Sequence, residues 1–350
     1  MAQGQHQPAP RPPHEGERRA QPSLFHSRPR PIYAALDLGT NNCRLLIARD
    51  ADEGFVVVDA FSRIVRLGEG LAATGRLSDA AIDRAISALS VCADKLRRRN
   101  VSLVRSVATE ACRRAENGRD FVQRVYRETG IALEIISPEQ EARLAVLGCH
   151  ALIEPGEGSA LVFDIGGGST ELILIDADDS PPRMLDWFSA PWGVVSLSET
   201  EPHVGADSSG LLASYARMRA RVAESFAQFA TKLGDHRLRG RLLGTSGTVT
   251  TLASVHLDLP SYDRRKIDGL VVPVEAIRAI SARLAGMTVA ERAELPCIGN
   301  ERADLVVAGC AILDAILDIW PAERLGVADR GIREGILRSL IARDRSRQRP

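Results

Sequence analysis

One short unit occurs twice in this chain, and the duplication constrains the fold more than any other feature. Ala34–Ile47 reads AALDLGTNNCRLLI, and 127 residues later Leu161–Leu174 reads LVFDIGGGSTELIL. In that alignment Asp37 falls on Asp164, Gly39 on Gly166 and Arg44 on Glu171. Each copy is an apolar run ending in aspartate, a turn of small residues, and a second apolar run, which predicts a β-hairpin. Two copies in register, one in each half, predict two domains on one plan with their hairpins facing across a cleft.

The residue types suggest what the hairpins hold. Glycines at 39, 166, 167 and 168 let backbone N–H groups approach an anion closely. Thr40, Asn41, Asn42, Ser169 and Thr170 add neutral donors. Asp37 and Asp164 would repel a bare phosphate. They suit a divalent cation lying between, because Mg²⁺ commonly takes one or two carboxylates together with phosphate oxygens and waters. A clamped phosphate–metal unit in an interdomain cleft is therefore expected, with Mg²⁺ or Mn²⁺ as the cofactor.

Charge narrows the choice further. The 350 residues carry 45 basic and 45 acidic side chains. Bulk attraction of a polyanion needs a basic protein, so a phosphate chain must be bound here by a local site. Only Lys95, Lys232 and Lys266 are lysines, and the other 42 basic residues are arginines, whose forks match phosphate oxygens two at a time. Basic clusters at 97–99, 237–241, 264–266 and 343–349 offer a track for a long anion. They lack the interleaved aromatics of a nucleic-acid surface, and aromatics are only 4% overall, so no nucleic acid is expected. The six cysteines show no metal or redox spacing and are expected to be buried. No apolar N-terminal stretch resembles a signal peptide. Leu305–Trp320 carries Asp314 and Asp318 and is too short to cross a bilayer, so a cytoplasmic protein without membrane contact is expected.

Residues 1–31 hold seven prolines and little hydrophobicity, the composition of a disordered Pro/Arg-rich tail. Beyond it strands and helices alternate, as in α/β domains. Strands are expected at 33–38, 44–48, 55–60, 101–108 and 133–136, then at 161–164, 170–175 and near 242 and 325. Helices are expected at 78–97, 120–129, 211–233, 249–255, 274–284 and 301–319. Ser137-Pro138-Glu139-Gln140 is a helix start, with a capping serine, proline in the first turn and Gln140 completing a capping box. Domain I is expected over 32–155, a break at Pro155-Gly156-Glu157-Gly158, and domain II over 156–342. A last helix, 331–341, is expected to pack back on domain I ahead of a basic tail, 343–350.

The paired Asp-x-Gly hairpins resemble the phosphate loops of the actin, sugar-kinase and acetate-kinase superfamily. More narrowly, the chain resembles the exopolyphosphatase and guanosine pentaphosphatase family. The likeness rests on LDLGTNNCR at 36–44, VATEACRR at 107–114, IISPEQEAR at 135–143, FDIGGGSTE at 163–171, PWGV at 191–194, LGTSGTVT at 243–250, YDRRKIDG at 262–269 and ADRGIREG at 328–335. The first loop reads Gly-Thr-Asn-Asn where the family commonly has Gly-Ser-Asn-Ser, and Asp268-Gly269 stands where many members have His-Gly.

The resemblance implies two actin-like (ribonuclease H-like) domains in the short form of the family. It further implies metal-dependent hydrolysis of the terminal anhydride of inorganic polyphosphate, releasing orthophosphate. The alternative substrate is guanosine pentaphosphate, and the alternative roles are an alarmone-binding regulator or a kinase of the same superfamily. Glu141 is implied as general base, and its place in the first turn of a capped helix favours an ionised carboxylate. Glu171 is implied to position water or bind the metal beside Asp37 and Asp164, and Arg113 to bind phosphate. The terminal phosphate is expected against Gly39, Thr40, Asn41, Asn42, Arg44, Gly166, Gly167, Gly168 and Ser169. Thr245, Ser246 and Gly247 form a third small-residue turn ahead of a helix. A homodimer is the family-level expectation.

Overall fold

The computed structural model describes residues 1, 30–52, 54–154, 156, 158–179, 182–234, 236 and 240–348. Most of the expected tail 1–31, Pro155 and Glu157 of the expected break, and Arg237, Arg239 and Arg349 lie outside the described residues.

The first copy of the repeat forms β1 (Ile32–Leu38) and β2 (Asn42–Ala51), and the second forms β6 (Ser159–Ile165) and β7 (Thr170–Asp176). Around β1 a five-stranded sheet adds β3 (Gly54–Ile64), β4 (Leu103–Ala108) and β5 (Leu133–Ile135) in the order β3-β2-β1-β4-β5. Around β6 a six-stranded sheet adds β8 (Arg183–Ala190), β9 (Arg241–Thr245), β10 (Val271–Pro273) and β11 (Arg324–Ala328) in the order β10-β11-β9-β6-β7-β8. Three antiparallel strands followed by parallel neighbours occur in both sheets, so the duplication extends well past the hairpins. Strand β10 is an added antiparallel edge.

Apolar alternation explains how the sheets are covered. Leu36, Leu38, Leu45 and Ile47 pack with Ile82, Ile86 and Leu89 of the helix Asp79–Arg98, which Ser78 caps by accepting from Ala81 N–H. The opposite face, with Tyr33, Ala35 and Leu46, joins Val162, Ile173 and Ile175 of the second sheet in one cluster. Between them lie Ala142 and Ala145 of the helix Pro138–Cys149 and Ile336 and Leu337 of the helix Ile332–Gln348. Gly148 and Gly335 allow these two helices to touch, since a Cβ at Gly335 would stand 2.0 Å from Leu144 O. Both sheets belong to one packed unit, Pro31–Pro350.

Three expectations need adjustment. The last helix runs to Gln348, so 343–348 is helical; Tyr33 Oη donates to Asp344 at 2.6 Å and Arg345 pairs with Asp50, anchoring the extra turns on β1 and β2. The helix expected from Glu301 begins at Val306, and the preceding turns leave Arg302 on a loop. Strand β8 was not expected; it is an edge strand paired on one side only, and its half-buried pattern carries little alternation. Five cysteines are buried and Cys297 is half-buried. Among the described residues no helix is long and apolar enough to cross a membrane.

Candidate functional site

Both loops of the repeat are held from behind by their carbonyl groups. Thr40 O accepts from Gly68 N–H at 2.9 Å, and Asn41 O from Val65 and Arg66 at 2.8 and 3.0 Å. In the second loop Gly166 O accepts from Val194 N–H at 3.0 Å and Gly167 O from Val195 N–H at 2.8 Å. A trans peptide sets its N–H opposite its C=O, so the N–H groups of Asn41, Asn42, Gly167 and Gly168 all turn away from those supports. In each loop two successive amides are thus presented outward, the arrangement of an anion nest.

The loops meet closely. A Cβ at Gly167 would lie 3.0 Å from Asn41 N, and one at Gly168 would lie 2.6 Å from Thr40 Oγ1. Asn41, Asn42 and Gly167 line a cleft of about 1000 Å³, counted out to bulk solvent. Asp37, Gly39, Thr40, Asn41, Asn42, Arg44, Glu141, Asp164, Gly166, Gly167, Ser169, Ser246 and Gly247 all line this cleft.

Four carboxylates gather around it. Asp37 and Asp164 end β1 and β6 in equivalent positions, with Arg44 and Glu171 as their respective cross-strand partners. Burial pushes the Asp164 carboxyl up to about 7, with Glu141 and Asp37 adding to the rise and Arg44 opposing it. Burial also raises Asp37, again against the pull of Arg44. Glu141 is 6% exposed and raised well above the usual range by burial and by Glu171, partly offset by Arg113. Glu171, 1% exposed, is raised by burial and by Asp164; its Oε1 accepts from Ser169 Oγ at 2.8 Å and Ser189 Oγ at 2.9 Å.

The remaining expected residues sit around the cleft in other roles. Arg113 is not among the lining residues: its Nη1 donates to Glu141 Oε2 at 2.7 Å and to Ile136 O at 2.8 Å, and its Nε and Nη2 to Glu110 Oε2. The fork is occupied by Glu141 and a second carboxylate, Glu110, so the contacts of Arg113 here are with side chains beside the cleft. Thr245 Oγ1 donates to Arg330 O at 2.7 Å and stands behind the cleft. Gly168 lies against Thr40 and Glu110, and Glu171 lies behind Ser169. Asp268 accepts from Asp329 N–H and from Arg330 Nε, which ties its loop to the start of the last helix.

The metal expectation can be tested on the donor set. Asp37 Oδ1, Thr40 Oγ1 and Asn41 Oδ1 are buried without a hydrogen-bond partner, and burial, with repulsion between the acids added, keeps the carboxyls protonation-prone. Hard oxygen donors beside a phosphate nest suit a divalent cation held largely by phosphate and water. Among the described residues no three His, Cys, Asp or Glu side chains converge as a ligand set, so Asp37, Asp164 and Glu171 do not form a closed protein cage.

Sequence reasoning missed Glu110, Arg302 and Thr251, which also line the cleft, as does Thr248 at the end of the third small-residue turn. Arg302 donates to Thr251 Oγ1 at 2.8 Å and forms no ion pair among the described residues. Its signal was hidden because it lies on a turn with no counterpart in the repeat. The described basic clusters do not line the cleft. Arg99 pairs with Asp59 at 2.9 Å and Arg264 with Asp329 and Glu334 at 3.1 Å each, so part of their charge is already matched.

Comparison with known proteins agrees with this geometry. Residues 46–344 match the family described as the Ppx/GppA phosphatase family. Exopolyphosphatase 2 of Mycobacterium tuberculosis is 32% identical over 321 residues, covering 88% of this chain and 98% of that protein. A guanosine-5'-triphosphate,3'-diphosphate pyrophosphatase of Aeromonas hydrophila is 29% identical over 90% of this chain, which spans only 62% of that longer protein. The crystal structure of the Aquifex aeolicus member of the Ppx/GppA family superposes with a TM-score of 0.74 at 30% identity, covering 90% of this chain and 99% of that one. The structural neighbours are two-domain, actin-like members of that family.

Proposed function

Because the chain belongs to the Ppx/GppA phosphatase family, we propose that it hydrolyses the terminal phosphoanhydride of inorganic polyphosphate and releases orthophosphate. It is a phosphoanhydride hydrolase. The observation that carries the reading is Glu141: Oε2 is held by Arg113, Oε1 accepts from no described residue, and the carboxyl lines the cleft that both amide-presenting loops line.

The residues then divide the work. The outward amides of Asn41, Asn42 and Gly167 and the hydroxyls of Thr40 and Ser169 orient the terminal phosphate. Water attacks the terminal phosphorus as Glu141 takes its proton, and the bond from that phosphorus to the bridging oxygen breaks. The shortened chain leaves with the electron pair. The raised proton affinity of Glu141 makes it a stronger base than an exposed carboxylate. Asp37 and Asp164 are the side chains that would hold Mg²⁺ or Mn²⁺, directly or through water. The chemistry supplied there is neutralisation of the phosphoryl oxygens.

The second reading takes guanosine pentaphosphate as substrate. It is supported by the Aeromonas relative and by the aliphatic wall of Ile64, Leu305 and Val306 near Arg302, which suits a nucleoside better than a bare phosphate chain. The test is orthophosphate release from polyphosphate and from guanosine pentaphosphate, each with and without Mg²⁺. Metal-dependent release with higher kcat/KM on polyphosphate supports the first reading, and the reverse ranking supports the second. Tight alarmone binding without turnover on either substrate would leave a regulator and sink both.

A further inference from the structure

Glu110 is a carboxylate in an anion-binding cleft, and the reaction as described above gives it nothing to do. It opens the short helix Glu110–Arg114, its side chain is 14% exposed, and it lines the cleft itself. It also stands against the second phosphate loop, since a Cβ at Gly168 would meet Glu110 Cγ at 3.0 Å. So placed, it would repel a phosphate unless its charge is matched. The main match is Arg113: Nη2 donates to Glu110 Oε2 at 2.9 Å and Nε at 3.2 Å, while the more exposed Arg114 stands off with its Nε 3.9 Å from Oε1.

That contact decides which way Arg113 faces. A guanidinium has five N–H groups in a rigid plane. Nη1 spends its pair on Ile136 O and Glu141 Oε2, while the Nε–Nη2 edge is turned to Glu110. Without Glu110 that edge, the one suited to a two-pronged grip on a carboxylate, would be unmatched in a site 14% exposed. Two partners compete for it: both oxygens of Glu141, or the phosphate in the cleft. Either would withdraw Glu141 from the water or pull Arg113 away from Glu141.

We infer that Glu110 is a positioning residue: it engages the Nε–Nη2 edge of Arg113, so that Glu141 receives a single hydrogen bond on Oε2 and keeps Oε1 for the attacking water. The inference rests on the hydrolytic reading and adds to it a residue that acts only through Arg113. Acting through Arg113 also gives a signature that a packing role lacks. Its effect should fall on kcat, and it should disappear when Arg113 is gone.

The experiment is a double-mutant cycle on orthophosphate release by the full chain, with Glu110→Ala and Glu110→Gln in the parent and in Arg113→Met. In the parent, Glu110→Ala is expected to lower kcat about 10-fold with KM within about 2-fold. Glu110→Gln, which keeps the shape and one acceptor oxygen and so guards against misfolding, is expected to lower kcat about 3-fold. In Arg113→Met both further losses should shrink to within about 2-fold. Equal losses in the two backgrounds, or a change confined to KM, would overturn the inference. An active parent indifferent to both substitutions overturns the inference alone, whereas a parent that releases no phosphate overturns the hydrolytic reading and the inference with it.

Discussion

Glu171 faces Asp164 across β6 and β7 in the same register in which Arg44 faces Asp37 across β1 and β2. The duplication therefore keeps the backbone and reverses the charge at one position. The first hairpin carries its own counter-charge, while the second sets two carboxylates side by side with Glu141 nearby. The raised proton affinities of Asp164, Glu171 and Glu141 follow from that asymmetry together with burial.

A stability–pH relationship follows. Folded Asp164 holds its proton up to about 7, against an ordinary value of 3.8, so between those limits the folded state binds more protons than the unfolded one. Stability from this group is complete below the unfolded value and falls as pH rises through the folded value. Metal-free Asp164→Asn should therefore be more stable than the parent at pH 8, by about 4 kcal/mol, and close to it near pH 4. Urea unfolding in the presence of a chelator reads this directly, and a less stable Asp164→Asn at pH 8 would refute it.

Glu141→Gln separates the base from the scaffold. The amide oxygen can still accept from Arg113 Nη1, so the helix start and the loops should keep their places. What is lost is proton acceptance from water, which predicts a fall in kcat of about 10²–10⁴-fold with KM within a few-fold. Full hydrolysis by Glu141→Gln would remove the proposed mechanism.

Much of this site was legible in the sequence because it is built from local, repeated backbone. Asp37, Gly39, Asp164 and Gly166 could be paired by register alone, and Ser137, Pro138 and Gln140 announced the helix that carries Glu141; Ser137 Oγ accepts from Gln140 N–H and Gln140 Oε1 from Ser137 N–H. What escaped depends on contacts between distant segments. Arg113 grips Glu141, 28 residues away, a contact no local pattern announces. Glu110 was passed over because an acid near an arginine on a short helix reads as an ordinary surface pair. Ser189 was invisible because its edge strand has no clear alternation.

Asp268 gives a prediction of the opposite kind, a residue in a family motif whose contacts here are structural. It accepts from Asp329 N–H at 3.0 Å and from Arg330 Nε at 2.6 Å, and so fixes the entry into the last helix. Asp268→Ala leaves a part-buried backbone donor and a guanidinium without that partner. A loss of about 1–3 kcal/mol in unfolding free energy is expected, with kcat of the folded fraction within about 2-fold. A large fall in kcat without loss of stability would place Asp268 in the chemistry instead.

Gly193 tests the claim that the second loop is shaped from behind. It begins the helix Val194–Thr200, whose first amides take the carbonyls of Gly166 and Gly167. A Cβ on Gly193 would stand 2.4 Å from Gly167 C and 2.5 Å from Gly168 N, both backbone atoms with no flexible side chain to give way. Gly193→Ala must therefore push the loop toward Thr40 and Asn41, and the Gly167 amide loses its aim into the cleft. The overpacking itself should cost about 1–3 kcal/mol of stability. Displacement of phosphate-orienting donors by a fraction of an ångström should cost more in function, with kcat/KM for orthophosphate release down about 100-fold. If Gly193→Ala folds and keeps the parent's kcat/KM, the orientation of the Gly167 amide is not what holds the terminal phosphate.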